Sequence, residues 1–344
     1  MATKLTKDKT VRAACLLENS ARGLIANSVD CLADTDYELS YVFGFDILRQ
    51  NDPWVWRNYD WVVVDVEFSD PLKIRCVLSR EGNVRLYGPG GNPDRTYELP
   101  DAGVFREGAA GYGYVNRIRA IGGSLYVCGQ SRQVYRFVPG SPHVLDGQWV
   151  DFAGPMRQPP ISEPPDDPEG GEAFDRWLDE NDPIDLVDIA GSDEQDIYAA
   201  GDECWHYDGQ QWRRLELPTD ENINAIKIIN PDQVVMVGHN GTLLVGNARQ
   251  GFRDLSSIDD NQNITGVELF EGKLFLASNF GLFAYDLATK KIEQYVTTLT
   301  PDLQDTHTLE AKDGVLWSFG GKDLAYFDGK TWTRVDHPDN PPIR

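Results

Sequence analysis

The stretch YDGQQWRRLELP, Tyr207 to Pro218, is written almost again as FDGKTWTRVDHP, Phe327 to Pro338, and more faintly as LDGQWVDFAGP, Leu145 to Pro155. An Asp-Gly pair between alternating or aromatic runs marks a hairpin, because glycine takes the positive φ of a tight turn and aspartate bonds its own backbone. Each copy therefore reads as strand, turn, strand. Upstream of YDGQQW stand two further strand-like runs, DLVDIAG and DIYAAGDECWH, so residues 184–218 hold four consecutive short strands.

The same four-strand unit parses at 61–100, 116–154, 224–257, 265–297 and 307–336. Beyond Gly201 its period is about 40 residues, the spacing of four-stranded propeller blades. Residues 11–59 give a seventh unit from RAACLL, GLIANSVDCL, ELSYVFGFD and WVWRNY, with the degenerate pattern common in terminal repeats. The expectation is an all-β chain, a single β-propeller domain over 1–344 with seven four-stranded blades; six blades with an N-terminal appendage is the fallback. A β-sandwich also uses many short strands, but it does not repeat their order. Modular stacking also answers the length, since one core rarely serves 344 residues.

The turns YDGQQW and FDGKTW resemble the Asp-box turn of BNR-type propellers, and the cadence of the chain is similar to that of WD40-like and YVTN-like bacterial propellers. The Gly-His and Trp-Asp pairs of true WD40 repeats are missing, as is the Ser/Thr two residues before the Asp of a strict Asp box. Asp-box turns are structural in those proteins, so the resemblance implies a fold and no reaction. Propellers of this kind include immunity proteins that plug the active site of a basic toxin, often one directed at nucleic acid or NAD.

Charge is the strongest global property: 55 acidic against 32 basic residues, a formal net of −23. Such a field repels nucleic acid and anionic membranes and attracts a basic protein partner. No apolar run reaches the roughly 18 residues of a spanning helix, and the first 20 residues lack an apolar signal stretch, so the chain reads as cytoplasmic. The five cysteines, Cys15, Cys31, Cys76, Cys128 and Cys204, are widely spaced with no C-x-x-C pair and read as buried, reduced thiols.

In a blade of four antiparallel strands, the loops between blades and the loops joining second to third strands emerge on one face. The remaining hairpins, such as Gly122-Gly123 and the Asp-Gly turns, are short and structural. The loop face is longer and acidic, above all in an insertion at 156–184. Within it GEAFDRWLDEND reads as about two turns of helix with Phe174, Trp177 and Leu178 on one side. The candidate partner-binding residues are Asp166, Asp167, Glu172, Phe174, Trp177, Asp179, Asp202, Glu203, Asp220, Glu221, Asp259 and Asp260. Around the axial mouth the first residues of the inner strands, Asn116, Arg117, Asp185, Asn224, Thr265 and His307, form a polar ring that either takes a small ligand or lines a water-filled channel.

Catalysis has little support. Sialidase-like chemistry needs several arginines at the axis and a Tyr nucleophile, and only Arg117 is placed there. His239 and His307 come from non-adjacent units, so no metal is expected; nucleophile elbows and phosphate-binding glycine loops are missing. The sequence is read as a non-catalytic, cofactor-free binder that docks a basic protein, for instance a cognate toxin. The alternative is a carbohydrate-active or lyase-type propeller with its site at the channel mouth.

Overall fold

A computed structural model describes residues 7–88, 94–141, 143–165, 171–256, 262–286 and 289–344. Seven four-stranded antiparallel sheets follow one another along the chain, at 9–59, 63–98, 115–151, 186–215, 223–254, 264–294 and 308–335. They close into a ring, so the chain is a seven-bladed β-propeller and the degenerate first unit is a full blade. Second strands such as Ser124–Gly129 and Gln233–Gly238 are buried almost throughout, whereas outer strands such as Gly251–Asp254 are mostly exposed. Burial on both faces explains why the second strands are written as unbroken apolar runs.

No blade has a core of its own. Seven apolar clusters each draw on two neighbouring blades, one cluster per seam. The repeated tryptophan serves these seams. Trp212 donates its indole N–H to the Phe152 carbonyl at 2.9 Å and lies against Phe152 of the preceding blade's exit. Trp332 stacks on Phe327 and meets Tyr295 at the exit of blade 6. In both turns the Asp carboxylate accepts two backbone N–H groups, Asp208 from Gln210 and Gln211 and Asp328 from Lys330 and Thr331. Gly209 and Gly329 both sit at φ 86°.

The third copy differs. Gly147 has φ −80°, and a Cβ there would lie 2.2 Å from the Val138 carbonyl oxygen. Asp146 reaches out to Arg95 of blade 2 at 2.8 Å instead of closing its own turn. LDGQW is therefore not the Asp-Gly turn of the other two, although Trp149 still packs on Phe137.

The ring closes without strand exchange. Trp317, Phe319 and Leu324 of blade 7 pack on Ile25, Phe43 and Phe45 of blade 1. The tail beyond blade 7 then crosses onto blade 1, where Asn340 exchanges two 2.8 Å hydrogen bonds with the Lys9 backbone. The Lys9 ammonium meets Asp339 at 2.7 Å with both side chains buried. Of the cysteines, Cys15, Cys76, Cys128 and Cys204 are buried as expected, but Cys31 is exposed, because it lies in the loop after the second strand of blade 1.

Trp332 is 4% exposed at the seam between blades 6 and 7. Its replacement by Ala is expected to cost about 3 kcal/mol, read as a lower denaturant midpoint at unchanged slope.

Candidate functional site

The seven inner strands enclose an axial channel of about 180 Å³. Inner strands of adjacent blades lie side by side but share no ladder, so side chains bridge the seams. Ser40, at the start of the third strand of blade 1, accepts the Val63 N–H at 3.0 Å; from inner strands, Asp65 accepts the Ile118 N–H at 2.9 Å, Asp188 the Ile226 N–H at 2.9 Å and Glu310 the Leu16 N–H at 2.7 Å. Between these seams Asn116 donates to the Leu186 carbonyl at 3.0 Å, Asn224 to Ile264 at 3.0 Å and Thr265 to His307 at 3.1 Å. Every one of the seven seams is thus bridged by a side chain bonded to backbone.

Of the six candidate channel-mouth residues, Arg117 and Thr265 line the channel. Asn116, Asn224 and Thr265 hold neighbouring blades, and Asp185 accepts a second bond from Asn116. Arg117 lies between Asp188 at 3.4 Å and Asp65 at 3.7 Å, and His307 faces Asp305 at 3.5 Å. Arg119 joins the same cluster, 2.9 Å from Asp65, 3.4 Å from Asp188 and 3.5 Å from Glu67. Lys227 pairs with Glu268 at 2.6 Å.

Sequence reasoning missed Asp65, Glu67, Asp188, Glu268 and Glu310, although a signal exists. They sit directly before or after the buried apolar residue of four of the seven inner strands, as in V-D-V-E-F and G-V-E-L-F.

Burial perturbs these acids. Glu67 is pushed up to about 8, burial outweighing the nearby Arg119 and Asp65 adding to the rise. Burial also raises Glu310. Asp185 is raised to about 6 by burial, the Asn116 hydrogen bond pulling the other way and Asp202 adding to the rise.

On the loop face, ion pairs tie the loops of adjacent blades: Glu38 to Arg80 at 2.6 Å, Arg132 to Glu203 at 2.7 Å and Lys322 to Asp30. Asp202, Glu203, Asp220 and Glu221 converge with Glu216 around one pocket of about 280 Å³, where Arg214 is the single cation among the described lining residues. Glu203 is held inward by Arg132 and the Trp205 indole N–H, and Asp202 accepts from Asn222 at 2.6 Å and from the Asp185 N–H at 2.7 Å. Asp220 is exposed and Glu221 half-buried. Among the described residues neither forms an ion pair.

Helix α1, Glu172–Asn181, forms where the apolar spacing indicated and carries Glu172, Phe174, Trp177 and Asp179. Phe174 and Trp177 stack at 5.6 Å, half-buried, and the Trp177 indole donates to Ser162 of the insertion's own lead-in. None of the helix is fully buried. Both ends of the insertion attach to the loop 130–132: Gln158 N–H donates to Ser131 and Arg132 N–H to Ile184. Asp166, Asp167, Asp259 and Asp260 lie outside the described residues.

Sequence reasoning also overlooked the linker between blades 2 and 3. The Glu81 carboxylate accepts the N–H groups of Val104, Phe105 and Arg106 at 2.8, 3.1 and 3.3 Å. The Arg106 guanidinium donates to the carbonyls of Leu99, Ala102 and Glu81. This bracing presents Phe105 to solvent, 79% exposed, on the loop face.

Seven such blades around a polar axis define the class, a seven-bladed β-propeller with WD40-like neighbours. Over 321 residues the chain is 29% identical to Immune protein Tsi7 of Pseudomonas aeruginosa strain PAO1, covering 91% of this chain and 92% of that protein. No protein-family model matches the sequence. Among solved structures it is similar to the WD40 propeller of Doa1, with TM-score 0.59, 8% identity and 93% and 92% of the two chains covered. A catalytically inactive virginiamycin B lyase from Staphylococcus aureus with quinupristin gives TM-score 0.60 at 10% identity, covering 92% and 93%. At such identities these structures speak to fold alone.

The perturbed channel acids make a pH prediction. The folded value of Glu67, about 8, lies above its ordinary 4.5, so across this window the unfolded chain binds fewer protons and stability falls as pH rises. The contribution is fully present below pH 4.5 and lost on approach to 8. Denaturation between pH 5 and 8 is expected to show this decline, and Glu67→Gln to flatten it.

Proposed function

We propose that this chain is a non-catalytic, immunity-type propeller that acts inside the cell by docking a basic protein, such as a cognate toxin, on its loop face. The observation that carries this reading is the convergence of Asp202, Glu203, Asp220 and Glu221 on one pocket, in a chain similar along nearly its whole length to an immune protein. A cationic side chain entering that pocket meets Asp220 and Glu221, which among the described residues form no ion pair, while a net charge of −23 steers the approach.

Apolar anchors flank the acids. Phe105 is exposed on a braced loop, which lowers the ordering cost of inserting it into a partner. Phe174 and Trp177 form a stacked pair on α1. Asp179 and Glu180 occupy the last turn of that helix, where the macrodipole disfavours negative charge. A partner cation there relieves the conflict, so α1 gains stability on docking.

A lyase-type or carbohydrate-active site at the channel mouth is disfavoured by the engagement of Asn116, Asn224 and Thr265 in blade-to-blade bonds. Those three side chains are committed to holding blades together and are not free to act on a substrate.

The test is growth rescue combined with binding kinetics. Co-expression of this chain is expected to restore growth to cells producing the toxin that accompanies it in its host. The triple variant Asp202→Asn, Asp220→Asn, Glu221→Gln should slow association about tenfold at low salt, and about 0.5 M salt should slow the wild-type chain similarly. Absence of rescue contradicts the immunity reading; association indifferent to both changes contradicts the acidic docking surface.

A further inference from the structure

The geometry points to a second binding site: the outer groove between blades 1 and 2 takes a small amphiphilic anion, an aliphatic or aromatic body carrying a carboxylate or sulfonate. This groove encloses about 310 Å³, at the lower end of the range for small-molecule sites. Its floor is Leu24, Val42 and Val77, and its walls are Trp56, Tyr59 and Tyr87. Gly44 keeps it open, since a Cβ there would stand 3.1 Å from Val55 and 3.6 Å from Leu24.

The outer strand of blade 1, Trp54–Tyr59, runs six residues where the other six outer strands run four. The added length raises one wall of the groove. It also leaves Val55 58% and Trp56 38% exposed, apolar surface that the fold itself does not cover. A ligand's apolar body against these walls would gain the burial that the blade lacks.

Charge selects an anion. The charged lining side chains are Arg57 and Arg75, and among the described residues no carboxylate lines the groove, in a chain of net charge −23. Among the described residues each arginine has one carboxylate partner, Asp94 at 3.3 Å for Arg57 and Glu18 at 3.1 Å for Arg75, with the arginine side chains 55% and 44% exposed. These contacts use one terminal nitrogen of each guanidinium, and a guanidinium carries five N–H donors. Arg57 is further fixed over the Tyr87 ring at 5.1 Å and donates to the Tyr87 hydroxyl at 2.9 Å. A carboxylate at the mouth would meet two oriented forks while its apolar tail lies on the valine floor.

Anilinonaphthalene sulfonate is a direct probe, with decanoate as competitor. Fluorescence titration of the folded chain is expected to show one saturable site from which decanoate displaces the dye. Arg75→Glu and Trp56→Ala should each weaken the site about tenfold or more with the melting temperature retained. Asp220→Asn with Glu221→Gln, on the loop face, should leave it unchanged. Arg75→Gln, which alters charge and no packing, serves if Trp56→Ala unfolds. No saturable binding, binding indifferent to Arg75 and Trp56, or binding only of an acidic apolar peptide with no response to the dye or decanoate would each overturn the assignment.

Discussion

Seven separate sheets can form one body only if something joins inner strands that cannot reach each other's ladders. Apolar clusters fill each seam, but at the axis the inner strands of adjacent blades lie close without sharing a ladder and leave backbone groups unpaired by any sheet. A buried N–H left without a partner costs on the order of 1–3 kcal/mol. The bridging side chains Ser40, Asp65, Asn116, Asp188, Asn224, Thr265 and Glu310 meet that need, one at each seam. Arg117 and Arg119 then compensate Asp188 and Asp65, and Lys227 pairs with the neighbouring Glu268.

This constraint divides the molecule's labour. Polar residues at the axis are engaged in holding blades together, and the surfaces proposed for recognition are the loop face and the outer perimeter. The loop face repeats the logic at larger scale, since Glu38, Arg80, Arg132 and Glu203 fasten neighbouring loops. On that frame Asp220 and Phe105 are exposed, and Glu221, Phe174 and Trp177 are half-buried. Rigid loops carrying exposed charge and aromatic anchors are what a tight protein contact requires.

The sequence made the blades legible because their signals are local. Asp208-Gly209 and Asp328-Gly329 announce their turns through backbone chemistry confined to four residues. Asp146-Gly147 carries the same two letters and fails, because its aspartate finds Arg95 across a seam. The helical spacing of Phe174, Trp177 and Leu178 was likewise enough to place α1. The bridging role of Asn116 was not legible, since its partner is a carbonyl 70 residues away. The acidic pocket required knowing that 202–203 and 216–221 fold together, which the blade order supplies. The groove of Leu24, Val42, Val77 and Tyr87 had no signature, because it gathers single residues from separate strands of two blades.

The central claim, that the axis serves the fold while the loop face binds, is tested most directly by amide hydrogen exchange with and without the bound protein partner. New protection is expected at 101–107, 171–185, 201–203 and 216–222, with the opposite hairpins at 208–211, 231–233 and 328–331 unchanged. Protection confined to those hairpins, or to the inner strands lining the channel, would contradict it.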